Sequence, residues 1–253
     1  MRTRFSALLI LLSGLILTLG VQAQTPVKAA VPNDNYAQQI TALTSRYEAF
    51  SIYSEDNAQF AGAWLNKVRE NAADQKATAQ VPTYVLSAGA EILLDAINPY
   101  LLRSDDASAS GYLKIMAKLI SLGSEDEVVC KAFLKSDSEQ GLNDAENAHL
   151  ESTVGPKIYE DMLSAFGSVY RTGRTGLPKI PNTVEYDEYM QMLVIGMIEQ
   201  HGEASLKALG EIDSPDIPAM QKCQSMTLLL NTMAAMPLNQ QAVIVRKMFA
   251  MED

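Results

Sequence analysis

Glu91 and Asp95 stand four residues apart, so on a helix their carboxylates share one face. Packed close and dry, one of such a pair keeps its proton and can serve as a general acid. The same spacing also describes the wet stripe of a buried helix, or a pair answered by a cation such as Arg103, because buried charges are rare. Only two histidines occur, His149 and His201. Neither lies in a G-x-S-x-G elbow or an H-E-x-x-H motif, so the usual machinery of serine and zinc hydrolases is not written here. Glu146-x-x-His149 has the spacing of half a di-iron carboxylate site, but such sites use the motif twice, and Ile198 stands three before His201.

Sulfur is the most biased chemistry in the chain: nine of 12 methionines fall between Met190 and Met251. Met220-x-x-Cys223-x-x-Met226 and Met233-x-x-Met236 space soft donors about one helical turn apart, a pattern suited to Cu(I) outside the cytoplasm. Methionine is also a core filler, the commoner use on such a stripe, and an adaptable protein-binding surface, so Met220, Met226, Met233 and Met236 are candidates for a partner groove as well. Arg171, Arg174 and Lys179, set among Gly173 and Gly176, offer cations for an anion pocket or merely for a solvated loop. The acidic stretch Ser136 to Asn147 lacks the order of an EF-hand loop.

Which of these readings applies depends on compartment. Arg2 and Arg4 precede an apolar run from Phe5 to Leu19, and Val21-Gln22-Ala23 places small residues for cleavage before Gln24, so residues 1–23 read as a secretory signal. Cleavage leaves 230 of 253 residues, with 18 basic against 30 acidic side chains, a net charge of −12. That balance repels nucleic acid and anionic lipid heads and suits a partner with a basic surface. No further stretch is apolar enough to span a bilayer, so no stable membrane insertion is expected after cleavage. Periplasmic or secreted placement follows, and there an even pair of cysteines, Cys130 and Cys223, is expected to form a disulfide.

The elements that must position these residues are helical throughout. Residues 24–33 read as a flexible leader with two prolines. Tyr36, Ile40, Leu43, Tyr47 and Phe50 predict a first helix capped by Asn33 or Asp34, and Phe60, Trp64, Val68 and Ala72 a second. Pro82 opens a third, apolar over most of its circumference and therefore expected at the centre. Leu113, Met116, Leu119 and Ile120 mark a fourth, stopped at Gly123; Ser124 to Glu127 matches a capping box for a short helix holding Cys130. Gly155-Pro156 starts a helix through Ile158, Met162, Phe166 and Tyr170. Tyr186, Met190, Leu193 and Met197 predict another; a short piece holds Leu206 and Leu209, Asp216 caps the helix of Cys223, and Val243 to Met251 is the last.

Together these observations predict an all-α irregular bundle of nine to ten helices. A Gly- and Pro-rich linker at 171–182 divides an N-terminal subdomain, 34–170, from a Met-rich C-terminal one, 183–253. No cofactor is expected. The functional expectation is an exported protein-binding module without catalytic activity: an inhibitor, immunity-type antagonist or envelope adaptor. One alternative is a Cu(I) carrier using Met220, Cys223 and Met226; another is an acid-dependent enzyme built on Glu91 and Asp95.

Overall fold

The computed structural model describes residues 35–74, 81–134, 144–212, 214 and 216–250. The signal at 1–23, the leader at 24–33 and the caps Asn33 and Asp34 lie outside the described residues, as do residues 136–143 of the acidic stretch. Twelve helices and no strand are found among the described residues. They are α1 (Tyr36–Arg46), α2 (Glu48–Asp56), α3 (Phe60–Asp74), α4 (Val81–Asp95), α5 (Asn98–Leu101) and α6 (Asp106–Gly123), then α7 (Glu127–Leu134), α8 (Asp144–Thr175), α9 (Thr183–His201), α10 (Glu203–Gly210), α11 (Ala219–Ala235) and α12 (Leu238–Phe249). The all-α irregular bundle is thus what the chain forms, with more and shorter helices than the periodicity marked.

At the centre stands α6, packed against α7, α8, α11 and α12. Ser108, Ala109, Ser110 and most of Tyr112 to Ile120 are buried around it, and Ala107, Lys114 and Lys118 keep a solvated stripe. Its first turns are rich in Ala, Ser and Gly, which carry little apolar signal in a sequence but let neighbouring helices approach closely. For that reason the third predicted helix, now α4, looked more central than it is; α4 lies instead among α1, α2, α3 and α8. A buried aromatic group holds that end together: Trp64 stands 4.4 Å from Phe50 and 5.3 Å from Phe60, ring to ring, and its Nε1–H donates to the Val85 carbonyl at 2.7 Å.

Cys130 in α7 and Cys223 in α11 are joined, with S–S at 2.05 Å and Cα–Cα at 5.9 Å, across 93 positions of sequence. Buried polar groups add further ties between distant segments. Gln241, 3% exposed, accepts from the Ser110 hydroxyl at 2.5 Å and donates to Ala234 and Met236 carbonyls, closing the α11–α12 turn onto α6. Arg246, also 3% exposed, donates to the Ser104 carbonyl at 2.6 Å and to Asp106 at 2.8 Å.

Local boundaries differ from the sequence reading in instructive ways. The first predicted helix breaks at Tyr47, whose extended backbone (φ −112, ψ 121) caps α1 and opens α2. The break sacrifices no backbone bond at that residue, because Tyr47 N–H reaches Leu43 and its carbonyl accepts from Ser51. Asp126, not Ser124, caps α7, accepting from Val128 and Val129 N–H, while the Ser124 hydroxyl turns back to Ser121. At Ala219 the helix α11 starts from Pro218 without a side-chain cap, so Asp216 does not play that part. Gly155, at φ 60, breaks α8 into two arms just before Pro156, as the sequence suggested.

The predicted linker at 171–182 is helical through Thr175. Its glycines serve close approach: a Cβ at Gly173 would lie 2.2 Å from the Tyr100 carbonyl oxygen, and one at Gly176 2.0 Å from that of Arg103. Only residues 176–182 lie outside regular structure, and the segments on either side share one continuous core running from Ile40 to Met248.

Candidate functional site

The Asn182 side chain accepts from Val184 N–H at 2.9 Å and starts α9; Gly202, at φ 77, ends it. Between them the apolar residues divide over two faces. Leu193 and Met197 are buried, and Tyr186, Tyr189 and Met190 pack half-buried beside them, which is the face the spacing predicts. Burial holds the Tyr186 hydroxyl above its ordinary pKa, and a hydrogen bond to Glu185 does the same for Tyr189.

The opposite face is apolar as well, and it is open. Val184 is 63% exposed, Met192 54%, Ile195 55% and Ile198 39%, and the connection leading into the helix adds Leu177 at 83% and Ile180 at 76%. Of the exposed large hydrophobics described, only Leu238 lies outside the stretch from Leu177 to Ile198. With 3.6 residues per turn, Val184, Met192, Ile195 and Ile198 share this face with Glu188, Gln191 and Glu199, all of them exposed. From Val184 to Ile198 the strip runs about 21 Å along the helix axis. Four carboxylates and no Lys or Arg occur within α9, so the helix that bears the strip is itself acidic, with Lys247 of α12 reaching Thr183 at its first turn.

No family model, curated protein or solved structure matches this chain.

The sequence-predicted site residues fall elsewhere. Met226 and Met233 are 3% and 1% exposed and belong to the core, and Met220 and Met236 are half-buried against it. Their spacing follows the buried stripe of α11, where Met fills irregular space. Cys223 is bonded to Cys130, which removes the central donor of Met220-x-x-Cys223-x-x-Met226 as a thiolate. Among the described residues no group of three or more His, Cys, Asp or Glu is placed to hold a metal.

Glu91 and Asp95 do share a face, close enough for each to feel Lys67 and for Asp95 to act on Glu91. Glu91, whose side chain is 12% exposed, pairs with Lys67 at 2.8 Å, so the cation comes from α3 rather than from Arg103. Burial raises the Glu91 carboxyl above its ordinary value while Lys67 pulls it down and Asp95 adds to the rise; partial desolvation raises the Asp95 carboxyl too, although the residue as a whole is open to solvent. His149 meets Asp126 at 2.5 Å, not a second Glu-x-x-His motif, and this contact chiefly holds the Asp126 carboxyl below its usual range. The three cations of the presumed anion loop are each answered: Arg171 by Glu48 at 2.8 Å, Arg174 by Glu55 at 2.7 Å and Asp56 at 2.8 Å, and Lys179 by Asp106 at 3.5 Å.

Sequence reasoning missed the outer face of α9. The signal was present: α9 carries Val184, Met192, Ile195 and Ile198 in excess of the four residues one buried face requires.

Proposed function

We propose that this chain is an exported helical protein-binding module, active in the periplasm or outside the cell as an inhibitor, immunity-type antagonist or envelope adaptor. The observation that carries the reading is the gathering of exposed large apolar side chains between Leu177 and Ile198, where, among the described residues, all but Leu238 of the exposed large hydrophobics lie. Apolar strips rimmed by polar groups mark interaction sites, and scattered exposure does not need that explanation. The occupant that fits is a protein surface with an apolar centre and basic flanks, because Glu188 and Glu199 stand on the strip and Asp187 beside it, all exposed. The joined cysteines and the absence of any described helix long and apolar enough to cross a membrane are in keeping with that setting.

A photo-crosslinking residue at Ile195 tests the proposal, with Lys114 on the solvated stripe of α6 as the control position. One protein captured at Ile195 and not at Lys114, whose purified form binds Ile195→Asp at least about tenfold more weakly, is the expected result. Capture of the same protein at both positions, or unchanged affinity in Ile195→Asp, overturns it.

A further inference from the structure

Residues 176–182 join α8 to α9 without helix, strand or turn. Leu177 precedes Pro178 and Ile180 precedes Pro181, and a residue before proline is driven to extended or polyproline II backbone. The prolines themselves fix φ near −65°, and Asn182, at φ −63 and ψ 132, is already in the polyproline II region. Such a backbone turns once every three residues, so Leu177 and Ile180 project along one edge. They are the two most exposed large hydrophobics described, at 83% and 76%. The segment is also held at both ends and in the middle: Gly176 presses on the Arg103 carbonyl, Lys179 N–H donates to Leu102 at 2.8 Å, and Asn182 caps α9.

We infer that this strap is a preformed polyproline II ridge, recognised by a partner domain through an aromatic-lined groove that seats Leu177, Pro178, Ile180 and Pro181. Addition to the edge of a partner's sheet is disfavoured, because Pro178 and Pro181 lack N–H and the Lys179 N–H is already engaged. A groove that reads side-chain ridges rather than backbone donors is the mode left, and a ridge fixed in advance loses little freedom on docking. This inference rests on the binding-module reading and names the kind of domain that provides the contact.

The test titrates the whole isotopically labelled protein with purified SH3, WW and EVH1 domains, three aromatic-groove probes, to about 1 mM each. At least one should shift the resonances of residues 177–182 selectively and lose affinity by about tenfold or more with Pro178→Ala/Pro181→Ala, a change outside the helices that leaves the helical circular dichroism in place. No selective shift from any of the three, or equal binding by the double variant, overturns the inference. The partner captured at Ile195 separates the two claims: if it is lost by Ile195→Asp but kept in full by Pro178→Ala/Pro181→Ala, the α9 reading stands and the strap does not.

Discussion

At the scale of single residues, the physics is clearest where two groups compete for one space or one proton. Gly89 lies under Trp64, and a Cβ there would come within 2.4 Å of the indole Cζ2. Trp64 is fully buried and fixed by its bond to Val85, so it has nowhere to move. Gly89→Ala is expected to lose about 1–3 kcal/mol, the range for overpacking a tight core, read as a lower urea midpoint at unchanged slope. Glu91 gives the proton case. Burial holds its folded pKa above the ordinary 4.5, so the folded chain takes up a proton more readily than the unfolded one. Stability from that uptake is complete below 4.5 and is lost as pH rises through the folded value. Urea midpoints measured for the wild type and Glu91→Gln should therefore draw apart across that window, the wild type gaining relative to the variant as pH falls. Parallel curves would remove the assignment.

At the scale of elements, helix existence was legible and helix partnership was not. Period and breakers located Gly155-Pro156, the inner face of α9 and the stripe of α11, because those features are local. Three others depend on neighbours. The central place of α6 comes from small residues that look unremarkable until other helices lie on them, and the glycines of 171–176 read as part of a linker although they admit the carbonyls of Tyr100 and Arg103. The outer face of α9 could not be told from its inner one, since nothing local to the helix says which apolar residues the bundle will cover. Capping shows the same dependence. Asp126 is chosen over Ser124 in part because His149, from the far side of residues 135–143, meets its second oxygen. Asp126→Ala should cost about 1 kcal/mol at neutral pH by loss of the cap. Because the folded Asp126 carboxyl lies below 3.8, its contribution is present above that value and disappears as pH falls through the folded one. Chemical denaturation at neutral and at acid pH measures whether the two proteins converge.

Taken as one molecule, the chain presents its open surface on α9 while a single bridge secures the helices behind it. The helix α9 rests on α10, α11 and α12, and α11 is tied through Cys223 to Cys130 on α7, with both helices packed on α6. The bridge therefore reinforces contacts that already exist and does not create the arrangement. Replacing it by Cys130→Ala/Cys223→Ala should keep the helical circular dichroism of the native protein but lose about 2–5 kcal/mol, since the unfolded chain is released from a long closed loop. Both sulfur-bearing residues are 0% exposed, so a reductant reaches them only when α7 and α11 separate. Native protein in dithiothreitol should accordingly stay oxidised until urea approaches the unfolding midpoint, with thiol appearance tracking loss of helix. Rapid reduction in the absence of urea, with the helices intact, would mean that α11 opens away from α7 as a unit and that the platform beneath α9 is not held as described.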